Sequence, residues 1–185
     1  GRRRLDAHFY GLKCLGAKII TEEPPYTLSA PHLTGRELFF DEASVTATEH
    51  ILMTATKAKG ITTIRNAASE PHVRNLAEML VKMGAKISGI NTNTLVIEGV
   101  EKLHGTRHTV NGDHIEAGSF LALAASTHGE LKIHGTNPGN HWMTRRVFEK
   151  FGSKFKLNPS SIVFHGGQNL LIKKDFGNAI PVVSD

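Results

Sequence analysis

LAEMLVKMGAKISGINTNTLVIEG, Leu76 to Gly99, carries the plan of the whole chain. Val73, just upstream, and Leu76, Leu80 and Met83 recur at helical spacing. Gly84 suits the left-handed position that closes a helix. Two β-rich runs follow, Lys86 to Ile90 and Thr94 to Glu98, and the Asn-Thr-Asn between them is hairpin chemistry. Upstream, Ser69 offers an N-cap and Pro71 a first helical turn. Ile61 to Arg65 reads as a strand. Val45 to Lys59 reads as a helix with apolar or small residues on most sides, hence buried, with Gly60 ending it.

The same plan occurs again. RRVFEKFGSKFKLNPSSIVFHG (Arg145 to Gly166) resembles the opening stretch, and GLKCLGAKI (Gly11 to Ile19) matches both. Gly16, Gly84 and Gly152 are spaced by 68 and 68 residues; Gly60 and Gly129 are 69 apart, and Gly99 and Gly166 are 67 apart. A period kept to within a residue at three landmarks marks a structural repeat. In the last copy Ile115 to Thr127 is an Ala-rich buried helix ended by Gly129, and Leu131 to His134 is a strand. Asn137 and Pro138 open an amphipathic helix closed by Gly152, and Lys154 to Leu157 with Ile162 to Phe164 form the hairpin. The first copy enters at its second helix, Asp6 to Leu15, and its longer hairpin carries Pro24 and Pro25. One such unit cannot bury both helices alone, so several must share a core. No G-x-G-x-x-G or phosphate-loop motif is present, so this is not a doubly wound nucleotide fold.

Composition narrows the class. The 185 residues are 39% hydrophobic, 6% aromatic and 21% charged, which fits a packed domain rather than a disordered one. The net charge of +5 reads as a basic surface, with Arg2, Arg3 and Arg4 clustered at the start. One cysteine, Cys14, excludes an internal disulfide framework, and its neighbours Leu12 and Leu15 make it a small buried thiol. No apolar run is long enough for a helical membrane span and no signal peptide is visible, so the cytoplasm is the expected compartment. Eleven histidines raise a metal site, but no H-E-x-x-H or paired cysteine ligands occur, and none is expected. The chain opens on Gly rather than Met and ends after a strand-like AIPVV, so both ends read as cut.

Four strings point to a family. GRRRLDAHFYGLKCLGAKI resembles G-x-R-P-V-D-x-H…GL…LGA, and ASVTATEHILMTA resembles S-V-G-A-T-x-x-x-x-M-A-A. NAASEPHVRNLAEMLVKMGAKISGINTNTLVIEGVEKLHG resembles N-A-A-x-E-P-E-I-x-D-L-A…MGAKI. GDHIEAGSFLALAA resembles P-D-R-I-E-T-G-T-x-x-x-A-A. These are strings of the UDP-N-acetylglucosamine enolpyruvyl transferases, in their order and spacing, and they cover Gly1 to about Ala125 most strongly. The resemblance implies an α/β fold, the inside-out α/β barrel of the enolpyruvyl transferases, built from repeated βαβαββ units. It implies part of one domain at 1–111, about two units, and part of a second at 112–185, about one unit. It also implies substrates, phosphoenolpyruvate and UDP-N-acetylglucosamine, with no cofactor and no metal. The N- and C-terminal parts of the enzyme are expected outside this sequence, and the 185 residues alone are expected to be inactive.

Arg3 aligns with the family arginine that binds phosphoenolpyruvate; a guanidinium suits a compact polyanion, and a helix start lies beside it. Arg4, Leu5, Asp6 and His8 fall on the segment that holds the nucleotide, although Arg4 replaces a proline and Leu5 a valine. Ser44, Val45 and Thr46 match a loop at the UDP phosphates and uracil, with Thr46 in place of glycine; a plain N-cap is the other reading of Ser44. Glu42 stands where some members carry a phosphate-binding lysine. Glu70 and Asp113 match family acids of the cleft, and each also suits the start of a helix. No catalytic residue is expected with certainty among the 185: the family's loop cysteine would precede Gly1 and its catalytic aspartate would follow Asp185. The alternatives are a basic nucleic-acid- or anion-binding module using Arg2 to Arg4, and an inactive remnant. Few aromatics and no nucleic-acid motif count against the former.

Overall fold

The computed structural model describes residues 4–21 and 23–171. By contact the chain divides into two compact units, Gly1–Thr109 and Val110–Asp185.

The first unit begins with α1 (Asp6–Cys14), whose backbone closes at Gly16, and a two-stranded antiparallel ribbon, β1 (Lys18–Thr21) and β2 (Thr27–Ser29). A full βαβαββ unit follows: β3 (Glu37–Phe39), α2 (Val45–Ala55), β4 (Ile61–Arg65), α3 (Pro71–Lys82), β5 (Lys86–Ser88) and β6 (Thr94–Glu98). Its sheet has the order β3-β4-β6-β5, with β3 parallel to β4 and the other pairs antiparallel. The parallel pair needs α2 as its crossover. The buried side of the sheet, Leu38, Ile64, Leu95 and Ile97, meets Ile51 and Leu52 of α2 with Leu15 and Phe40. These residues alternate along each strand with exposed ones, as a half-buried sheet requires. Thr48, fully buried on α2, is no misfit: its hydroxyl accepts from the Ala68 amide at 3.0 Å.

The second unit holds α4 (His114–Ser126), β7 (Leu131–His134), a 3₁₀ turn (Pro138–Asn140), α5 (Trp142–Lys150), β8 (Phe155–Asn158) and β9 (Ser161–Phe164). The sheet order β7-β9-β8 repeats β4-β6-β5. Leu121, Ile162 and Phe164 centre its core. Among the described residues of this unit no strand precedes α4.

The repeat is visible in the backbone. Gly16, Gly84 and Gly152 follow α1, α3 and α5 with φ of +99°, +98° and +75°, which a side chain would strain. Several boundaries differ from the sequence reading. α2 stops at Ala55, five residues before Gly60, because the chain turns to let the Gly35 amide donate to the Lys59 carbonyl at 2.8 Å. After α4 it is His128, φ +54°, and not Gly129 that takes the left-handed position. The Thr127 hydroxyl folds back onto Leu123 at 2.8 Å and ends that helix. Glu70, not Ser69, precedes α3, with Pro71 at its first position. The Gly105 region is irregular, in agreement with its sequence, so His104 and His108 do not face one another on a helix as a metal pair would.

Candidate functional site

Most candidates of the first unit sit at helix starts. Leu5 precedes α1 as its N-cap residue, with Asp6 in the first turn. Arg4 pairs with Asp6 at 2.9 Å, with both side chains largely exposed, so the pair contributes little to stability. Arg3 lies outside the described residues.

Ser44 caps α2 by accepting from the Ala47 amide at 3.4 Å, so the helix-cap reading of this serine holds. Val45 and Thr46 form the first turn, which carries no acidic residue. Glu42 is exposed in the loop leading in.

α1 packs on α2, and one polar contact joins their candidates. His8 Nε2 lies 3.2 Å from the Thr46 hydroxyl. On its other side His8 Nδ1 lies 3.1 Å from Nδ1 of His50, with ring centroids 5.3 Å apart. Burial holds the His8 imidazole below the usual histidine range, and the His50 charge adds to this; burial alone lowers His50. Both rings are therefore neutral at neutral pH, and one hydrogen occupies the gap between the two Nδ1 atoms.

Strand topology brings a further element to this edge. β3 and β4 run parallel, so the loops leaving them lie side by side and open α2 and α3. Asn66, at φ +53°, donates from its side chain to the Phe40 carbonyl at 2.8 Å and ties the two loops together. Carboxyl ends of adjacent parallel strands are where open α/β sheets place ligands. Glu70 stands here at the start of α3, with Oε2 buried and no hydrogen-bond partner. Burial raises the Glu49 carboxyl on α2; His72 draws it back and the Glu70 charge pushes it further up. The Glu70 charge thus reaches Glu49 where α2 packs on α3.

Asp113, in the second unit, accepts from the amides of Ile115 at 2.8 Å and Glu116 at 3.2 Å and caps α4. The helix-start reading of this acid holds on geometry. Cys14 is half-buried near the end of α1. Among the described residues no three His, Cys, Asp or Glu converge as a metal site, and no helix is long and apolar enough to cross a membrane.

Sequence reasoning missed His50, Glu49 and Asn66. His50 was legible: it follows Thr46 by four residues and shares its helix face. Asn66 needed the tertiary pairing of β3 with β4 to gain meaning.

Comparison with known proteins supplies the family. The family model described as EPSP synthase (3-phosphoshikimate 1-carboxyvinyltransferase) matches residues 1–180. Curated proteins named UDP-N-acetylglucosamine 1-carboxyvinyltransferase align with all 185 residues. Identity is 47% for those of Borreliella burgdorferi and Treponema denticola and 43% for that of Bradyrhizobium diazoefficiens. The chain spans 43% of the length of each. Among solved structures, the enolpyruvyl transferase NikO from Streptomyces tendae superposes with a TM-score of 0.75 at 19% identity, over 87% of this chain and 42% of that one. An EPSP synthase from Acinetobacter baumannii superposes at 0.64 and 21% identity, over 91% of this chain and 41% of its own. These two establish the fold. With that fold and a family match over nearly every residue, the chain belongs to the EPSP synthase family, the enolpyruvyl transferases.

Proposed function

We propose that this chain is part of an enzyme that moves the enolpyruvyl group of phosphoenolpyruvate to the 3-hydroxyl of UDP-N-acetylglucosamine. Phosphate is released, and the step serves peptidoglycan precursor synthesis in the cytoplasm. The observation that carries this reading is identity of 43–47% along the whole chain to curated proteins of that name. In this reading residues 1–111 belong to the domain that holds the sugar nucleotide and 112–185 to a second domain. Arg3 holds phosphoenolpyruvate. Arg4, Leu5, Asp6 and His8 with Ser44, Val45 and Thr46 hold the nucleotide, and Glu70 and Asp113 are cleft acids. The contact of His8 with Thr46 supports one shared role for the two nucleotide segments. Unopposed amides in the first turn of α2 suit phosphate oxygens. Groups from the rest of the enzyme complete the site, and no cofactor is needed.

The test is phosphate release by the full-length protein. It should require phosphoenolpyruvate and UDP-N-acetylglucosamine together. Release driven by shikimate 3-phosphate instead would overturn the substrate assignment.

A further inference from the structure

We propose that His50 is a positioning residue for His8: it donates its Nδ1–H to His8 Nδ1 and so leaves His8 with a hydrogen on Nε2, aimed outward beside Thr46. This rests on the reading of His8 as a nucleotide-binding residue.

The geometry has an inside and an outside. The contact of His8 Nδ1 with His50 is partly buried, and the contact of His8 Nε2 with Thr46 is exposed. Nε2 is therefore the nitrogen a ligand can reach, and Nδ1 the one the protein controls. A neutral imidazole has one donor and one acceptor nitrogen. If His8 donated from Nδ1, its outward Nε2 would be an acceptor, able to take only the Thr46 hydroxyl hydrogen and repelled by any phosphate or carbonyl oxygen. If His50 donates, Nε2 is an N–H donor that suits such an oxygen. Only the second state serves a nucleotide rich in acceptors. Two facing N–H groups at 3.1 Å would repel, so the pair excludes double protonation.

The neighbouring charges leave this arrangement intact. The charge acting on His8 comes from His50; Asp6, two residues before His8 on α1, pairs with Arg4, which precedes the helix. Glu49, next to His50 in sequence, interacts with His72 and Glu70. Thr46 and His50, four residues apart on α2, reach His8 from one helix face. The hydroxyl of Thr46, where the family pattern has glycine, accepts the Nε2 hydrogen until a ligand oxygen competes for it.

The experiment uses the full-length protein with ¹⁵N-labelled histidine. Two-bond ¹H–¹⁵N spectra at pH 7.5 should show His8 as the Nε2–H tautomer and His50 as the Nδ1–H tautomer. In H50L the His8 tautomers should mix, and in H50N, whose amide can still donate, Nε2–H should persist. Calorimetric Kd and KM for UDP-N-acetylglucosamine should rise about tenfold in H50L, the loss of one oriented hydrogen bond. The value of kcat should hold within about twofold, and H50N should stay near wild type. An Nδ1–H tautomer on wild-type His8, or unchanged affinity in H50L, overturns the proposal. Absence of any UDP-N-acetylglucosamine binding by the wild type would instead defeat the functional reading, while the tautomer spectra still judge the His50–His8 arrangement.

Discussion

At the residue scale, two helix caps that look alike in sequence differ in strength. Asp113 accepts two amide hydrogen bonds, at 2.8 and 3.2 Å, whereas Ser44 accepts one at 3.4 Å. Bond strength falls steeply near that limit. D113A should therefore cost about 1–2 kcal/mol and S44A about 0.5 kcal/mol in urea unfolding. Equal losses would contradict the geometry. Residue chemistry was partly legible in the sequence. Ser44 and Asp113 could be named as caps because capping is local. The link of His8 to Thr46 and His50 was not legible, because it joins residues 38 and 42 positions apart across a helix interface.

At the element scale, α1 and α2 approach closely through Gly11. An added Cβ there would overlap the Ile51 side chain, with its Cδ1 only 2.7 Å away and Phe40 behind it. Ile51 and Phe40 are fully buried and have little room to yield. G11A should destabilise by about 1–3 kcal/mol despite alanine's better helix propensity. It should also broaden the His8 and His50 imidazole signals by moving the helices apart. A stabilised G11A would refute close packing at that point. The repeated unit was legible because hydrophobic spacing and closing glycines are local signals. Its ends were not. His128 displaced Gly129 from the left-handed position after the Thr127 hydroxyl bonded back to Leu123, and α2 ended short of Gly60 where Lys59 accepts from the Gly35 amide; neither bond is a periodic signal. The opening strand β3 was also hidden, since three residues with one buried side chain give no periodic signal.

At the scale of the whole molecule, buried and half-buried histidines contribute to the response to acid. His8, His50 and His141 all lie below the ordinary histidine value of 6.5, each chiefly through burial; the His114 charge adds to the effect on His141. The unfolded chain then binds more protons than the folded one, so stability rises with pH across that window. It should be intact above about pH 7.5 and fall as pH drops below 6.5 through the lowered folded values. Glu49, held above its ordinary value, works the other way, gaining stability as pH falls, but it is one group against three. The urea midpoint at pH 5.5 should lie below that at pH 8; an unchanged midpoint would show that these rings are not buried neutral. The 185 residues alone should release no phosphate from phosphoenolpyruvate, since the chain spans 43% of the length of the relatives it matches. The central claim is tested most directly by the product. The full-length protein, given [2-¹³C]phosphoenolpyruvate and UDP-N-acetylglucosamine, should form an enol ether on the sugar 3-oxygen, seen by NMR as a new vinyl carbon coupled across that oxygen. No labelled ether on the sugar nucleotide, with one formed when shikimate 3-phosphate is supplied in its place, would contradict the account.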